Sequence, residues 1–386
     1  MNQFETKVCQ NCKAPFSIDA SDFSFYEKIN VPPPTFCPEC RARRRFAWRN
    51  ESALYKRPCD LCGVSVISMY HPDAPFPVFC QPCWWSDKWD PRTYGVAYDF
   101  SKPFFEQFGA LLKRVPQSAL VNNPAQSVNS EYCNYAIQNK NCYLVFGGHY
   151  NEQCSYSWYI FQNKDSLDTM ETHKSELVYE GNMGMNFYNC AFVEYVFDSN
   201  NCFFSYDLRG CSDCFLSYNL RNKKYCILNQ QYSREEYLKK MKTFDTGNYA
   251  TLQDLLKQFA QIKKKALHIF SYQKNTTNCV GNDIVYSKNI QKSFRVEESK
   301  DVTYAQKATA TFTSLDVSKM GYDHSELCYE TISSTALNNA RFGQALWHCN
   351  AVEYGNHNFS STNCFVCVSA KKNEYCILNK QYTKDE

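Results

Sequence analysis

Residues 190–226 read CAFVEYVFDSNN, CFFSYDLRGCSD, CFLSYNLRNKKY and C when the chain is divided every twelve residues. Each segment begins with a cysteine, at Cys190, Cys202, Cys214 and Cys226. Between the cysteines lie short stretches rich in Tyr, Phe, Val and Ser, interrupted by Asn, Asp and Gly, which is typical of strands and turns. A fixed short period indicates repeats that stack on their neighbours.

The twelve-residue register extends beyond this window. Upstream it contains Cys142 and Cys154, with Ser166 and Val178 at the two positions that follow, while Cys211 lies off the register. The whole pattern recurs at an offset of 150 residues, because 175–180 matches 325–330 and 224–232 matches 374–382. In the second copy the register is held by small or apolar residues: Cys328, Ala340, Val352, Cys364 and Cys376.

The repeats predict a mainly β protein that contains a duplicated parallel β-solenoid with its cysteines stacked inward. Twelve residues of extended chain span at most about 40 Å, so one repeat makes a narrow coil or half of a wider one. We interpret the cysteines as small buried hydrophobic residues. A disulfide ladder would need an oxidising compartment. A metal ladder would lack local partners, except at Cys211/Cys214 and Cys364/Cys367.

Four Cys-x-x-Cys pairs precede the repeats, and they predict two zinc sites. Such knuckles direct two sulfurs at one ion, and zinc takes four ligands in a tetrahedron at roughly 2.3 Å. With all four positions filled by cysteine, the two Zn²⁺ ions would be structural rather than catalytic. The predicted ligands are Cys9, Cys12, Cys37, Cys40, Cys59, Cys62, Cys80 and Cys83.

Consecutive pairs are expected to share an ion, although a cross-braced arrangement of the first and third pairs stays open. The flanking sequences favour compact zinc ribbons or treble clefs. Val31–Pro34 imposes an extended approach to Cys37, and we expect the three tryptophans of residues 84–89 to cover the second site and the seam with the next domain.

A basic segment after Cys40 is the candidate nucleic-acid contact. Residues 41–49 lack Gly and Pro and are expected to be helical, with Trp48 offering a stacking ring. Alternatively, some of the arginines serve local carboxylates or thiolates. The candidate residues are Arg41, Arg43, Arg44, Arg45, Arg49, Lys56 and Arg57.

We divide the chain into six parts. They are a first zinc ribbon (1–58), a second zinc ribbon (59–91), a helical connector (92–125), a first Cys-rich array (126–230), a helical insert (231–272) and a second Cys-rich array (273–386). In the connector, Ser101 is expected to cap a helix that ends at Val115-Pro116. In the insert, a capping box at Ser233–Glu236 opens a short helix, and Thr251 caps a longer one. The second array ends where the insert begins in the first, so we expect the natural protein to continue.

Composition restricts the cellular setting. The chain has 386 residues, 22 cysteines and a formal net charge of +3, which predicts no global attraction to nucleic acid or membranes. Its start shows no apolar run of the secretory type, and no stretch approaches the roughly 20 apolar residues of a membrane span. Many cysteines without an export signal favour a reduced, cytoplasmic metal binder.

Four motifs together resemble a family of zinc-ribbon proteins from candidate-phylum bacteria that has no assigned activity. The motifs are residues 31–41 (VPPPTFCPECR), 84–90 (WWSDKWD), 104–108 (FFEQF) and 225–229 (YCILN). The resemblance implies twin tetracysteine zinc ribbons followed by Cys-rich repeats.

The leading functional hypothesis is a non-enzymatic scaffold that presents a solenoid surface to a protein or nucleic-acid partner. The first alternative is RNA, ribosome or DNA binding through the arginine helix. The second is a carbohydrate-active enzyme, for which the nearest carboxylate pairs are Asp165/Asp168 and Glu176/Glu180, the latter recurring as Glu326/Glu330. No small-molecule substrate is indicated, and an enzyme is the less favoured class.

Overall fold

The computed structural model describes residues 5–123, 125–320, 329, 331–332 and 350–386. The expected register positions Cys328 and Ala340, and the carboxylates Glu326 and Glu330, lie outside these residues. Within them the protein is mainly β, with parallel sheets that follow two N-terminal cysteine clusters.

The helices are concentrated at the N-terminus and between the two arrays. They are α1 (Ala20–Lys28), α2 (Pro38–Phe46), α3 (Gln81–Trp85), α4 (Phe104–Arg114), α5 (Arg234–Met241) and α6 (Tyr249–Lys265), with a 3-10 helix at Pro91–Tyr94. The strands of the N-terminal part are β1 (Glu5–Val8), β2 (Pro15–Ile18), β3 (Tyr55–Pro58), β4 (Ser65–Ser68), β5 (Val78–Phe79) and β6 (Gln117–Ser118).

Both arrays consist of short strands. In the first they are β7 (Tyr143–Phe146), β8 (Ser155–Trp158), β9 (Met170–His173), β10 (Glu176–Arg209), β11 (Ser212–Phe215), β12 (Tyr218–Arg221), β13 (Lys224–Ile227) and β14 (Gln230–Gln231). In the second they are β15 (Gln273–Lys274), β16 (Thr277–Val285), β17 (Lys288–Glu297), β18 (Lys300–Thr303), β19 (Gln306–Thr309), β20 (Phe312–Leu315), β21 (Ser318–Met320), β22 (Asn350–Glu353), β23 (Thr362–Phe365), β24 (Glu374–Ile377) and β25 (Lys380–Gln381).

The pairing register has the period seen in the sequence. Cys202 pairs with Cys214 and Cys214 with Cys226, all in parallel strands. In the second array Val352 pairs with Cys364 and Cys364 with Cys376. The offset is 11 residues at the start of the second array, where Cys279 pairs with Ile290, and a bulge restores it to 12 at Gly281. Antiparallel hairpins β13–β14 and β24–β25 follow the last repeats.

A finer period of three runs inside each repeat. Through β10 the backbone enters the left-handed region at every third residue, from Leu177 to Asp207, and the residue that follows each of these is buried. Within β10, twelve residues therefore make four turns and bury four positions. Cys211 lies nine residues after Cys202 and is fully buried. It occupies another inward position of the same three-residue lattice, and it lies off the twelve-residue cysteine register as predicted.

Buried polar side chains satisfy one another between repeats. The Asn139 Oδ1 atom accepts hydrogen bonds from the backbone N–H (3.0 Å) and the side-chain amide (3.1 Å) of Asn151. Asn151 Oδ1 in turn accepts from the N–H of Asn163, and Asn163 Oδ1 from the N–H of Ser175. An inward asparagine is tolerated because this column gives its carbonyl a donor from the next repeat.

The insert packs on the flank of the first array. Tyr237 of α5 and Leu255 and Ile262 of α6 are buried against Phe204 and Phe215. The capping box of Ser233 and Glu236 is confirmed. The longer helix begins earlier than predicted, because Asn248, not Thr251, supplies the cap by accepting a hydrogen bond from the Thr251 N–H.

The connector helix α4 ends at Val115 as predicted, but Ser101 does not cap it. Pro103 occupies the cap position, and the Ser101 hydroxyl donates to Asp99 instead. One face of α4 packs on Val366, Val368 and Leu378 of the second array. No helix of the described ranges is long and apolar enough to cross a membrane.

Candidate metal centres

The first tetracysteine cluster lies between the β1–β2 hairpin and the start of α2. Cys9 and Cys12 occupy the hairpin turn, where the backbone reverses through Lys13 at φ 64°. Cys37 is the N-cap residue of α2, followed by a proline at the first helical position. Its backbone N–H donates to Cys9 Sγ at 3.3 Å, and the Asn11 side chain donates to Cys40 Sγ at 3.3 Å.

The second cluster repeats this construction. Cys59 and Cys62 lie in the β3–β4 turn, which reverses through Gly63 at φ 75°. Cys80 caps α3 with nearly the same backbone angles as Cys37, and its N–H donates to Cys59 Sγ at 3.2 Å. A hairpin knuckle and a helix-capping knuckle thus face each other twice in the chain, an arrangement that fits zinc ribbons.

The sulfur positions suit a tetrahedral ion. In each cluster all four Sγ atoms lie within 4.8 Å of one another. Cys12 and Cys37 Sγ are 3.7 Å apart, and Cys62 and Cys80 Sγ are 3.8 Å apart. A tetrahedron with 2.3 Å metal–sulfur bonds has sulfur–sulfur edges of about 3.8 Å. Consecutive pairs share a cluster, so sequential pairing is confirmed and the cross-braced alternative is wrong.

The thiols of each cluster differ in proton affinity. Burial acts to raise the pKa of Cys9, but backbone N–H donors, that of Cys37 foremost, outweigh it and lower the pKa to about 6. For Cys59 the same balance lowers the pKa to about 7. Burial raises the pKa of Cys37 to about 12 and raises that of Cys80 as well. In each cluster backbone N–H donors therefore favour the thiolate form of one sulfur, the form that binds metal.

The arginines of α2 are anchored inside the protein. Arg41 is 1% exposed, and its Nε donates to Asp316 Oδ2 at 2.8 Å. Arg45 is 2% exposed, with Nη1 at 3.3 Å from Asp316 Oδ1 and Nε donating to Ser318 Oγ at 3.1 Å. Placing these two on a nucleic-acid surface was wrong, because the second array covers them. They do serve a carboxylate, but one about 270 residues away rather than a local one.

Two further members of the basic segment are also engaged internally. Arg49 contacts Glu51 and lies 4.0 Å from the ring centroid of Tyr135. Arg57 is buried and donates to Asp60 Oδ2 at 2.8 Å and to a backbone carbonyl at 3.0 Å. The remaining candidates are exposed: Arg43, Arg44 and Lys56. Of the seven basic residues predicted to form a nucleic-acid contact, three are therefore exposed.

The second centre is joined to the end of the second array. Trp84 is fully buried beside Cys83, and its ring lies 5.0 Å from that of Phe359. The Lys371 ammonium lies 4.1 Å from the ring centroids of both Trp84 and Trp89 and donates to the Trp84 carbonyl. The prediction that these tryptophans cover the site and the seam is confirmed.

The cysteines of the arrays form no cluster of metal-ligand geometry among the described residues beyond the two N-terminal groups. The array cysteines that the structure describes are buried, with Cys279 partly so, and free. The carboxylates considered for an enzyme occupy the outside of the repeats. Lys164 Nζ lies 3.9 Å from both Asp165 and Glu176, and the pKa of Glu180 is raised by burial and then by Asp168. Asp165 and Glu176 are therefore outer side chains that pair with a lysine.

No protein-family model matches this chain, and no curated protein matches its sequence.

Proposed function

We propose that this chain is a non-enzymatic, zinc-stabilised scaffold in which two structural Zn²⁺ ions brace a pair of β-solenoid arrays. The observation that carries the proposal is that each tetracysteine centre contacts a different region of the second array. α2 of the first centre is tied to Asp316, and Trp84 of the second centre is packed on Phe359 and Lys371.

Zinc is favoured by the donor set and its spacing. Four sulfurs with no open coordination position are typical of structural zinc. The sulfur edges of 3.7 and 3.8 Å support this assignment. With all four ligands supplied by the chain, the ion contributes folding free energy to its ribbon and leaves no coordination site for a substrate.

The solenoid is supported by the parallel register at intervals of twelve and the buried position at intervals of three. Such an array buries its own strands and presents regular columns of outer side chains. One column consists of exposed tyrosines: the Tyr132 and Tyr143 rings are 5.3 Å apart, and Tyr143 and Tyr156 are 5.5 Å apart. Rigid, half-exposed tyrosines are typical contacts for a protein partner.

The test is hydrogen exchange with mass spectrometry, on the zinc-loaded protein and after treatment with a chelator. If the ions brace the arrays, zinc removal will speed exchange in the ribbons and in 312–318 and 359–371, which contact them. Residues 212–227, in the interior of the first array, serve as an internal control and should not change. Unchanged exchange at 312–318 and 359–371 would contradict the bracing role.

A further inference from the structure

A cavity of about 490 Å³ lies where the second metal centre meets both arrays. Trp85 and Asp87 come from the second centre, Asn122 from the connector, and His357, Phe359 and Lys371 from the second array. Ligand sites in proteins usually measure roughly 300–1,000 Å³ and lie at such junctions. The cavity is therefore large enough for a small organic ligand.

One wall carries an indole held in place with its surface partly open. Trp85 is 41% exposed, and its Nε1–H donates to Gln81 Oε1 at 2.9 Å. The Phe359 ring packs on it edge to face at 5.3 Å. A tryptophan fixed in this way offers a flat stacking surface at little entropic cost, which suits a planar heterocycle.

Two polar groups of the lining have unused hydrogen-bonding capacity. The Asn122 amide donates to the Cys133 carbonyl at 3.0 Å, but its buried Oδ1 has no hydrogen-bond partner. His357 is 3% exposed, and its Nδ1 likewise has none in the part of the chain that the structure describes. Burial lowers the pKa of His357 to about 4, so the ring is neutral at physiological pH. Both atoms are closed to solvent, so they lie beneath the cavity surface and are not available to a ligand.

The charge of the lining favours an anion. Lys371 and Lys372 outnumber Asp87. Lys371 is half-buried against tryptophan rings, and no carboxylate of the described residues lies within 4.0 Å of its ammonium. Desolvation lowers its pKa to about 8. Asp87 and Asp90 act on this ammonium from beyond salt-bridge distance, and a phosphate beside it would add a direct counter-charge.

We propose that the cavity binds a nucleoside monophosphate. The base stacks on Trp85, and its phosphate is held by Lys371 and Lys372. This site is independent of the scaffold role, because it takes a small ligand that neither zinc nor the arrays require.

Isothermal titration calorimetry of the zinc-loaded protein with AMP, GMP, CMP and UMP tests the proposal. All four nucleotides are expected to bind, because neither stacking on Trp85 nor the phosphate contact depends on the identity of the base. Adenosine should bind about 10-fold more weakly than AMP, because it lacks the charge-assisted phosphate contact. Inorganic phosphate alone should bind weakly or not at all. Absence of binding by all four nucleotides, or equal affinity for AMP and adenosine, would overturn the proposal.

Matched variants locate the site. Trp85→Leu should weaken AMP binding by about 10-fold or more through the lost stacking. Trp48→Leu, at the exposed tryptophan beyond α2, should have no effect. Lys372→Ala should weaken AMP but leave adenosine unchanged. Each variant is first checked for wild-type zinc content, and a correctly folded Trp85→Leu that binds AMP normally would place the ligand elsewhere and refute the site.

Discussion

Replacing Asp316 by asparagine tests the buried ion pair that joins the first metal centre to the second array. The change removes one negative charge and keeps nearly the same shape, and asparagine tolerates the left-handed backbone found here (φ 60°). Arg41 and Arg45 then face no carboxylate at this position, although both are almost completely buried.

The magnitude follows from the surroundings. Breaking a buried pair typically costs about 3–5 kcal/mol, because the remaining charge is left uncompensated. Arg41 keeps a hydrogen bond to the Phe36 carbonyl (2.7 Å), and Arg45 keeps Ser318. We therefore expect the lower end, about 3 kcal/mol, which corresponds to about 100-fold faster opening of this contact.

The assay is native-state hydrogen exchange of the zinc-loaded protein, read at residues 38–46 and 312–318. Asp301→Asn is the matched control, because Asp301 has nearly the same backbone angle (φ 57°) but its side chain is 39% exposed. It contacts Asn289 at 2.7 Å and Lys300 at 3.8 Å. Its loss should cost no more than about 0.5 kcal/mol. Equal exchange in Asp316→Asn and Asp301→Asn would refute the view that the buried pair holds α2 on the array.

Three further predictions concern the arrays. Burial lowers the pKa values of His149 and His173 from the usual 6.5 to about 4, so both rings are neutral when the protein is folded. The free energy of unfolding should therefore fall as the pH falls from 6.5 to 4. Urea unfolding of the His149→Gln/His173→Gln variant should show a flatter pH dependence, and an unchanged slope would exclude these residues as its source. Asn151→Leu removes the middle of the asparagine column and leaves donors and acceptors of the adjacent repeats unpaired, so thermal unfolding should show a loss of about 2–3 kcal/mol; a loss below 1 kcal/mol would mean that the column is dispensable. Gly184→Ala would place a Cβ 2.1 Å from the Val196 carbonyl oxygen in the next repeat. It should lower the melting temperature, because the backbone of that repeat cannot move away freely. An unchanged melting temperature would show that the repeats can separate there.

Local spacing predicted the parts of the fold that depend on local chemistry. Cys-x-x-Cys pairs and a twelve-residue cysteine register are visible as intervals in the sequence, and both recur as contacts in the structure. The three-residue period cannot be recognised from hydrophobicity, because its inward positions mix apolar residues such as Val, Ile, Leu and Phe with Cys, Gly, Ser, Thr and Asn. A left-handed residue at every third position cannot be recognised from strand propensity. That signal assumes that inward and outward side chains simply alternate.

Long-range partners could not be predicted in this way. The arginine run after Cys40 has the composition of a nucleic-acid contact, and only the arrival of Asp316 from a distant repeat makes two of its members structural. The junction cavity likewise combines residues from 81 to 372, so no local motif indicates it. Composition identified the charges and rings of both sites, whereas topology decided whether they face solvent or one another.

The most direct test of the account is the zinc content of the purified protein, measured by inductively coupled plasma mass spectrometry. Two zinc ions per chain are expected in the wild type, one in Cys37→Ser or Cys80→Ser, and two in Cys190→Ser, where a serine matches the residue at the equivalent position 166 of the same register. Fewer than two ions in the wild type, or two retained in the Cys37→Ser and Cys80→Ser variants, would contradict the claim that two tetracysteine zinc centres stabilise this fold.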